Sequence, residues 1–358
     1  MIKELGNFSA TGIGSLPHRD VDEANRLIRD CFSKIPHWVQ LPMRSYNEGF
    51  INQYLESLIK LELVKTVEGK TPQFDTESDS WLEQLTAFYE LHIRAEVEEE
   101  ALNYFGFSKN SALGFYSYLD KVKSGYFEDI VAVKGQVSGP VTLGLQVTEH
   151  NRRSSYYNSQ LRDVLVKTLA NHAKWQTKKL VETGYPAVVF VDDPGLYSLG
   201  LSTHITLTKE QVLEDLKAIF NAVQEAGGIP GSHTCAKTDW PMLLDSGIKV
   251  VNFDAYQYFS SLAVYPEEID AFLKKGGILA FGIVPTSEYL IKETVDSLYK
   301  KLFNQLNQLV KKGVNEKRLM EQIMITPSCG AGALNIDLSI QVYETTRLLG
   351  EKINKVRG

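Results

Sequence analysis

The sequence predicts an α/β protein, a single (β/α)8 TIM barrel with a helical insertion after the second strand. Eight short apolar runs alternate with amphipathic helical patterns along the 358 residues. Most of the runs are apolar on successive residues, which is typical of strands buried on both faces of a parallel sheet. No G-x-G-x-x-G motif follows the first run, so nothing supports the alternative of a doubly wound open sheet that binds a dinucleotide.

Each predicted strand ends in polar or glycine-rich sequence. The predicted strands are Ala10–Gly14, Trp38–Pro42, Val131–Val137, Ala187–Val191, Gly228–Ser232, Lys249–Phe253, Ile278–Val284 and Gln322–Thr326. Apolar residues at helical spacing predict helices between many of them. The clearest helical patterns cover Leu161–Glu182, Lys209–Ala226, Glu288–Lys312 and Ile336–Lys355.

Residues 47–127 separate the second predicted strand from the third. This stretch reads as helical and is rich in charged and aromatic residues. No Pro/Gly/Ser-rich linker marks a domain boundary at either end. We therefore predict that residues 1–358 form one barrel and that residues 47–127 are a helical insertion over its mouth.

The composition is that of an ordinary soluble enzyme. The chain has 38 basic and 44 acidic residues and a net charge of −6, which gives no electrostatic reason to expect nucleic acid or a membrane surface as a partner. No apolar stretch approaches the length of a membrane span. Three cysteines provide no disulfide framework, so a cytoplasmic location is expected.

Two of the three cysteines follow predicted strands and lie near a histidine in the predicted fold. His233 and Cys235 are alternate residues of an extended segment, so their side chains point the same way, and Cys329 lies in a glycine-rich loop after the last strand. An imidazole and two thiolates suit Zn²⁺, and three protein ligands leave one position open for a substrate. We predict that His233, Cys235 and Cys329 form a catalytic zinc site; the alternative is a buried structural histidine with two inert thiols.

Other polar residues lie at the ends of predicted strands, where the active site of a barrel is built. Asp254 is either a fourth metal ligand, a partner that orients His233, or a loop cap. Of Asp192 and Asp193, one is expected to bind the ammonium group of an amino-acid substrate while the other caps a loop. Ser15 follows a glycine-rich turn and either binds a substrate carboxylate or belongs to an ordinary turn.

Five segments together resemble the C-terminal catalytic barrel of cobalamin-independent methionine synthase and its single-domain relatives, within the uroporphyrinogen decarboxylase-like superfamily. They occur in the family's order and span residues 11–330. The segments are Thr11-Gly12-Ile13-Gly14-Ser15-Leu16-Pro17, Gly139-Pro140-Val141-Thr142, Val191-Asp192-Asp193-Pro194, His233-Thr234-Cys235 and Pro327-Ser328-Cys329-Gly330.

The resemblance implies a role for each matching residue. His233, Cys235 and Cys329 would bind zinc, Ser15 would contact the carboxylate of homocysteine, and Asp192 would contact its amino group. The sequence departs from the family in three respects. Asp254 is the nearest counterpart of the family's glutamate ligand, Asp193 replaces a glutamate, and we expect no counterpart of the N-terminal barrel that helps to bind folate.

The resulting hypothesis is a zinc-dependent methyltransferase that acts on a small-molecule thiol, preferably homocysteine. The expected methyl donor is a methylated corrinoid on a separate protein, or a folate. No D-x-H-x-x-G motif is present, so the chain is not expected to carry a corrinoid itself. Two alternatives remain open: a metal-free decarboxylase of the uroporphyrinogen type, and a non-catalytic protein that binds a thiol or a corrinoid partner.

Overall fold

The centre of the computed structural model, which describes residues 2–201 and 207–357, is a seven-stranded parallel sheet. Its strand order is β1-β9-β8-β7-β6-β5-β4, and every neighbouring pair is parallel. Strands β2 and β3 form a separate antiparallel pair. The strands are β1 (Ser9–Ala10), β2 (Val64–Lys65), β3 (Gln73–Phe74), β4 (Val133–Ser138), β5 (Ala187–Asp192), β6 (Ile229–Thr234), β7 (Val250–Phe253), β8 (Ile278–Val284) and β9 (Ile323–Pro327).

The six strands predicted from residue 131 onward correspond to β4 through β9, whereas the predicted strand at 38–42 is not a regular strand. Instead, isolated parallel bridges join His37 to Lys134 and Gln40 to Ser15. Backbone hydrogen bonds from Trp38 to the Lys134 carbonyl (3.2 Å) and from Gln40 to the Gly14 carbonyl (3.0 Å) accompany them. One irregular segment therefore contacts both ends of a curled sheet, and a complete eight-stranded barrel remains a prediction.

Both faces of the sheet are buried. Along β5, Val188 and Phe190 belong to one apolar cluster, while the alternate residues Val189 and Val191 belong to the larger cluster beneath the helices. Alternation of this kind is expected when a parallel sheet has a core on each side. The smaller cluster fills the concave side of the sheet and consists of Leu5, Ile35, Ala132, Val188, Phe190, Ile229, Val250, Ile278, Ala280 and Met324.

Helices surround the sheet, and side chains cap the N-termini of several of them. Asn158 accepts from the backbone at the start of α8, Thr208 does so for α9, and Thr294 forms a capping box with Ser297 for α13. No helix in the described ranges is both long and apolar enough to cross a membrane. The helices are α1 (Ile2–Leu5), α2 (Val21–Phe32), α3 (Glu56–Lys60), α4 (Trp81–Ala95), α5 (Glu99–Tyr104), α6 (Leu113–Lys123), α7 (Pro140–Gln146), α8 (Ser159–Val181), α9 (Lys209–Glu225), α10 (Trp240–Leu244), α11 (Ala255–Leu262), α12 (Pro266–Lys274), α13 (Val295–Lys311), α14 (Glu316–Glu321) and α15 (Ile336–Arg357).

Residues 47–127 contain α3 to α6 and the β2–β3 pair. Their aromatic side chains pack on the irregular segment 38–42 and on α8: the Phe107 ring lies 5.5 Å from Trp38 and 4.2 Å from His172. Phe115 in turn packs 5.2 Å from the Trp175 ring of α8. Aromatic burial of this kind explains why the sequence shows no linker, because this region shares its core with the sheet.

Two histidines are buried as neutral side chains within this structure. Burial lowers the pKa of His37 to about 3 and that of His172 to about 4. His37 contacts the Trp38 carbonyl and the Tyr343 hydroxyl, and His172 contacts the Phe105 carbonyl. When the pKa of a histidine is lower in the folded state than in the unfolded chain, the folded state is favoured at pH values above the unfolded pKa. This advantage is lost as the pH falls toward the folded pKa.

We predict that replacing His172 with asparagine flattens the pH dependence of stability. The unfolded chain protonates His172 near its ordinary pKa of 6.5, while the folded chain takes up this proton only near pH 4. Between pH 6 and pH 4.5 the wild type should therefore lose about 2 kcal/mol more unfolding free energy than His172→Asn. Urea unfolding of both proteins across this range measures the difference, and parallel curves would contradict the assignment.

Candidate metal centre

Three predicted ligands meet at the carboxyl-terminal edge of the sheet. His233 is the penultimate residue of β6, Cys235 directly follows that strand, and Cys329 follows β9 after one intervening residue. One nitrogen of His233 and the two sulfur atoms all lie within 4.8 Å of one another. Because parallel strands expose their carboxyl ends on the same edge, residues far apart in the sequence converge here.

A hydrogen bond fixes the orientation of the His233 ring. Its Nδ1 contacts Oδ1 of Asn252, which is the residue opposite it in the β6–β7 register. The Nε2 atom is buried and has no hydrogen-bond partner. A buried polar nitrogen without a partner costs free energy, so its retention here is explained if it serves as a ligand.

The Asn252 side chain has its own orientation fixed. Its Nδ2 group donates to the Ala280 carbonyl (2.9 Å) and to the Thr326 hydroxyl (2.7 Å). With both amide protons used, Oδ1 faces His233 and accepts a hydrogen bond from Nδ1–H. In its neutral form the imidazole therefore carries its lone pair on Nε2, as a metal ligand requires.

The two thiols differ in acidity. A hydrogen bond from Cys329, together with the nearby His233, lowers the pKa of Cys235 to about 4. The same interaction and burial raise the pKa of Cys329 well above its ordinary value. A cation that bound both sulfur atoms would displace the remaining thiol proton and be held by two thiolates.

The cluster opens into a cavity of about 370 Å³ at this edge of the sheet. Its wall includes the apolar residues Pro42, Met43, Phe50 and Pro194. Two predicted substrate-binding residues, Ser15 and Asp192, line the same cavity. The remaining lining residues are Ile13, Gly14, Gln40, Gln136, His233, Cys235, Cys329, Gly330, Gly332 and Ala333.

Asp192 contributes to this cavity a carboxylate with one oxygen that has no hydrogen-bond partner. It is the last residue of β5, and its Oδ1 atom is buried without a hydrogen-bond partner. Burial raises the pKa of Asp192 to about 6, opposed by the charges of His233 and Lys134. With Oδ1 unpartnered, the group is available to bind a cation or an N–H donor of a ligand.

Lys134 is an ammonium group that the sequence analysis missed. Its side chain is fully buried on the concave side of β4, donates to the Ile13 carbonyl (2.5 Å), and lies 4.5 Å from the centre of the Phe190 ring. Burial lowers the pKa of Lys134 to about 8, and the carboxylate of Asp192 opposes this. Its position in a buried strand is the one sequence signal that could have revealed it.

Asp193 has a structural role. Its carboxylate accepts from the backbone of Val141 (3.1 Å) and Thr142 (2.8 Å) at the start of α7, and from the Thr142 hydroxyl. A Cβ on Gly139 would lie 2.1 Å from the Cβ of Asp193, which requires glycine at that position. The G-P-V-T turn and the Asp-Asp pair are therefore parts of one packed unit. Of the two aspartates, Asp192 is the one that lines the cavity.

Asp254 lies outside the cluster that His233, Cys235 and Cys329 form in this structure. It caps α11: its Oδ1 accepts from the backbone of Gln257 (2.9 Å), and its other oxygen lies 3.3 Å from the Gln257 amide. Among the described residues, the side chains close enough together to bind one metal ion are His233, Cys235 and Cys329, and Asp254 is not one of them. The loop-cap alternative therefore accounts for Asp254 in this structure, and metal ligation by it remains a prediction.

Ser15 connects the first strand end to the loop that carries Cys329. Its hydroxyl accepts from the backbone of Gly332 (3.2 Å), and its carbonyl accepts from Ala331 (3.1 Å). A Cβ on Gly330 would lie 2.4 Å from the Ser15 hydroxyl, so glycine permits this approach. Ser15 both lines the cavity and holds the Cys329 loop in place.

Comparisons with known proteins identify no family. No protein-family model and no curated protein matches the sequence. Among solved structures, a mutant organophosphorus hydrolase from Deinococcus radiodurans is 13% identical, with a TM-score of 0.34, over 68% of this chain and 78% of its own. A protein described as a fructose-1,6-biphosphate aldolase from Coccidioides immitis is 10% identical, with a TM-score of 0.29, over 67% and 84%. Dihydropteroate synthase from Thermus thermophilus is 10% identical, with a TM-score of 0.23, over 65% and 87%. These similarities are too distant to support an argument about activity.

We predict that Asn252→Leu weakens the binding of Zn²⁺, used as the probe metal, by about 10- to 100-fold because Nδ1 loses its acceptor. Competition titration with a chromophoric chelator measures the affinity. Ser232→Ala is the matched control: Ser232 is the buried neighbour of His233, and its hydroxyl has no partner. Equal affinities in both variants would contradict the proposed role of Asn252.

Proposed function

We propose that the protein is a zinc-dependent methyltransferase that transfers a methyl group to a small thiol, with homocysteine as the preferred acceptor. The observation that carries this proposal is the buried, unpartnered Nε2 of His233 beside two thiols in a cavity that also contains a carboxylate with one unpartnered oxygen. The first three atoms suit a soft divalent metal, and the carboxylate suits an amino-acid substrate. The order of motifs along the sequence supports the same assignment.

The donor set fits zinc in number and in kind. A tetrahedral zinc ion with nitrogen and sulfur ligands holds these atoms roughly 3.5 to 3.8 Å apart. The three atoms lie within 4.8 Å of one another, so side-chain movements of about 1 Å would complete the geometry. With three protein ligands one position stays open, as in catalytic zinc sites.

Zinc at this position would lower the pKa of an acceptor thiol and hold it as the nucleophilic thiolate. The chain's own residues position the acceptor. The carboxylate of Asp192 would bind its ammonium group, and the hydroxyl of Ser15 with the neighbouring backbone N–H groups would bind its carboxylate. The apolar wall at Met43 and Phe50 limits access of water to the reacting sulfur, and the fixed orientation lowers the entropic cost of reaction.

The decarboxylase alternative receives no support from the cavity. Decarboxylation of a porphyrin requires cationic side chains to bind several propionates. The described residues that line the cavity include no arginine or lysine; Arg44, the one arginine near an early strand end, forms an ion pair with Glu48 instead. A non-catalytic thiol-binding protein would bind zinc and ligand without turnover, and the assay below distinguishes it.

We predict that purified wild type binds about one zinc per chain and forms methionine from homocysteine with methylcobalamin as donor. Cys235→Ser should lose stoichiometric zinc and activity, since a serine hydroxyl is a poor ligand for zinc. Cys31→Ser is the matched control, because Cys31 is buried elsewhere and its pKa is raised to about 12. Metal analysis and a methionine assay measure both effects.

Absence of stoichiometric zinc from the wild type would overturn the proposal. Zinc and homocysteine binding without turnover, tested with both corrinoid and folate donors, would favour the non-catalytic alternative.

We predict that Asp192→Asn raises the KM for homocysteine by about 10- to 100-fold, the effect of losing one charge-assisted hydrogen bond. The KM for the homocysteine analogue that has hydrogen in place of the amino group should change little. Steady-state kinetics with both acceptors provides the comparison. An equal rise for the two acceptors would show that Asp192 does not recognise the ammonium group.

A further inference from the structure

Gln136 lines the cavity of the metal centre, and the proposed reaction gives it no role. Its side chain is 3% exposed, and its amide Nε2 donates to the Trp38 carbonyl (3.3 Å). Because a carbonyl pairs only with a donor, the NH2 end of the amide faces Trp38 and Oε1 is turned away from it. Oε1 is buried and has no hydrogen-bond partner. A buried acceptor of this kind is explained if a ligand supplies the missing donor.

The position of this oxygen is fixed by the strand that carries it. The backbone N–H of Gln136 donates to the side chain of Gln176 (3.1 Å), and its carbonyl accepts from the Gln176 amide (3.0 Å) and from the Tyr54 hydroxyl (3.1 Å). A Cβ on Gly14 would lie 2.6 Å from the Gln136 amide, so glycine at that position leaves room for it. Groups on rigid strands are positioned accurately, so Gln136 is oriented before a ligand binds.

Gln136 lies between the two residues expected to bind the head group of an amino acid. It is opposite Phe190 in the β4–β5 register, two residues before Asp192 on the neighbouring strand. Register partners point to the same face of a sheet, and so do alternate residues of one strand, so Gln136 and Asp192 share a face. On its other side, the amide lies against Gly14, the residue before Ser15.

We propose that Gln136 is a specificity-determining residue: its Oε1 accepts a second hydrogen bond from the ammonium group that Asp192 binds, so the cavity selects thiols with a free primary amine. This inference rests on the proposed function. Oδ1 of Asp192 and Oε1 of Gln136 are two buried acceptors without partners, and both residues line one cavity. A single ammonium group offers three donors, whereas a hydroxyl offers one. An ammonium group also supplies the positive charge that the carboxylate favours.

The neighbouring donors on β4 do not satisfy these acceptors. Lys134, two residues before Gln136, donates instead to the Ile13 carbonyl (2.5 Å). Ser138, two residues after Gln136, donates to the Phe50 carbonyl (2.6 Å). The described residues that line the cavity include no arginine or lysine. The missing donor therefore has to come from what enters the cavity.

The test replaces Gln136 with methionine, which has a similar length and no acceptor oxygen. In zinc-loaded Gln136→Met we expect the Kd for L-homocysteine to rise about tenfold, the effect of losing one hydrogen bond to a charged group. The Kd for the desamino analogue, which has hydrogen in place of the amino group, should stay that of the wild type. Gln136→Glu retains an acceptor oxygen and should restore the preference for homocysteine. Isothermal titration calorimetry measures these affinities, and a chelator titration checks that zinc affinity is unchanged.

Gln305→Met is the matched control. Gln305 is also buried, donates through Nε2 to the Ala255 carbonyl (2.7 Å), and has an Oε1 without a partner. It lies on α13, outside the cavity. Its replacement should leave the ratio of the two Kd values at the wild-type level.

The inference would be overturned if the wild type bound homocysteine and its desamino analogue equally well, a result that needs no variant. An unchanged ratio of the two Kd values in Gln136→Met would also overturn it, and an equal weakening of both would show a structural role instead. A wild type with the expected preference that forms no methionine would overturn the proposed methyltransferase and leave the role of Gln136 intact.

Discussion

The candidate metal centre depends on the hydrogen bond between Asn252 and His233. Asn252 uses both amide protons on neighbouring strands, so its oxygen faces Nδ1 of the imidazole and leaves Nε2 free. Without that constraint, a buried histidine next to two thiols could adopt either tautomer or carry a second proton. This hydrogen bond therefore orients the His233 ring for metal binding in the metal-free protein. The orientation leaves Nε2 buried without a partner, which is unfavourable.

The sheet makes this arrangement rigid. His233 and Asn252 are register partners on adjacent parallel strands, and Ala280 and Thr326 on the next two strands hold the amide. Four consecutive strands therefore contribute to the orientation of one side chain. Rigid elements position ligands more accurately than loops do, and here only Cys235 and Cys329 lie beyond strand ends. These two can move by the small distance that a metal would require.

Much of the fold was accessible from the sequence because most strands are buried on both faces. Continuous apolar runs such as Ile278–Val284 predict such strands directly, whereas residues 38–42 bridge both sheet edges without regular pairing. That difference depends on tertiary contacts, among them the packing of Trp38 on Phe107, and no local pattern encodes it.

The site was predictable where chemistry alone identifies a residue. Cysteine and histidine at strand ends indicate a soft metal, and His233, Cys235 and Cys329 do lie together. From the sequence, either Asp192 or Asp193 could have been the residue that binds substrate. Their roles differ because the side chain of Asp193 contacts the start of α7, whereas that of Asp192 lines the cavity. Asn252 and Lys134 were missed because each acts through partners on other strands. Such partners become visible only after the strands are placed in register.

The most direct measurement of the central claim is X-ray absorption spectroscopy at the zinc edge, on the protein with and without homocysteine. The account predicts about two sulfur ligands near 2.3 Å and one imidazole nitrogen near 2.0 Å in the free protein, with a third sulfur after the thiol is added. A zinc environment of oxygen and nitrogen alone, or one in which homocysteine adds no sulfur, would contradict it.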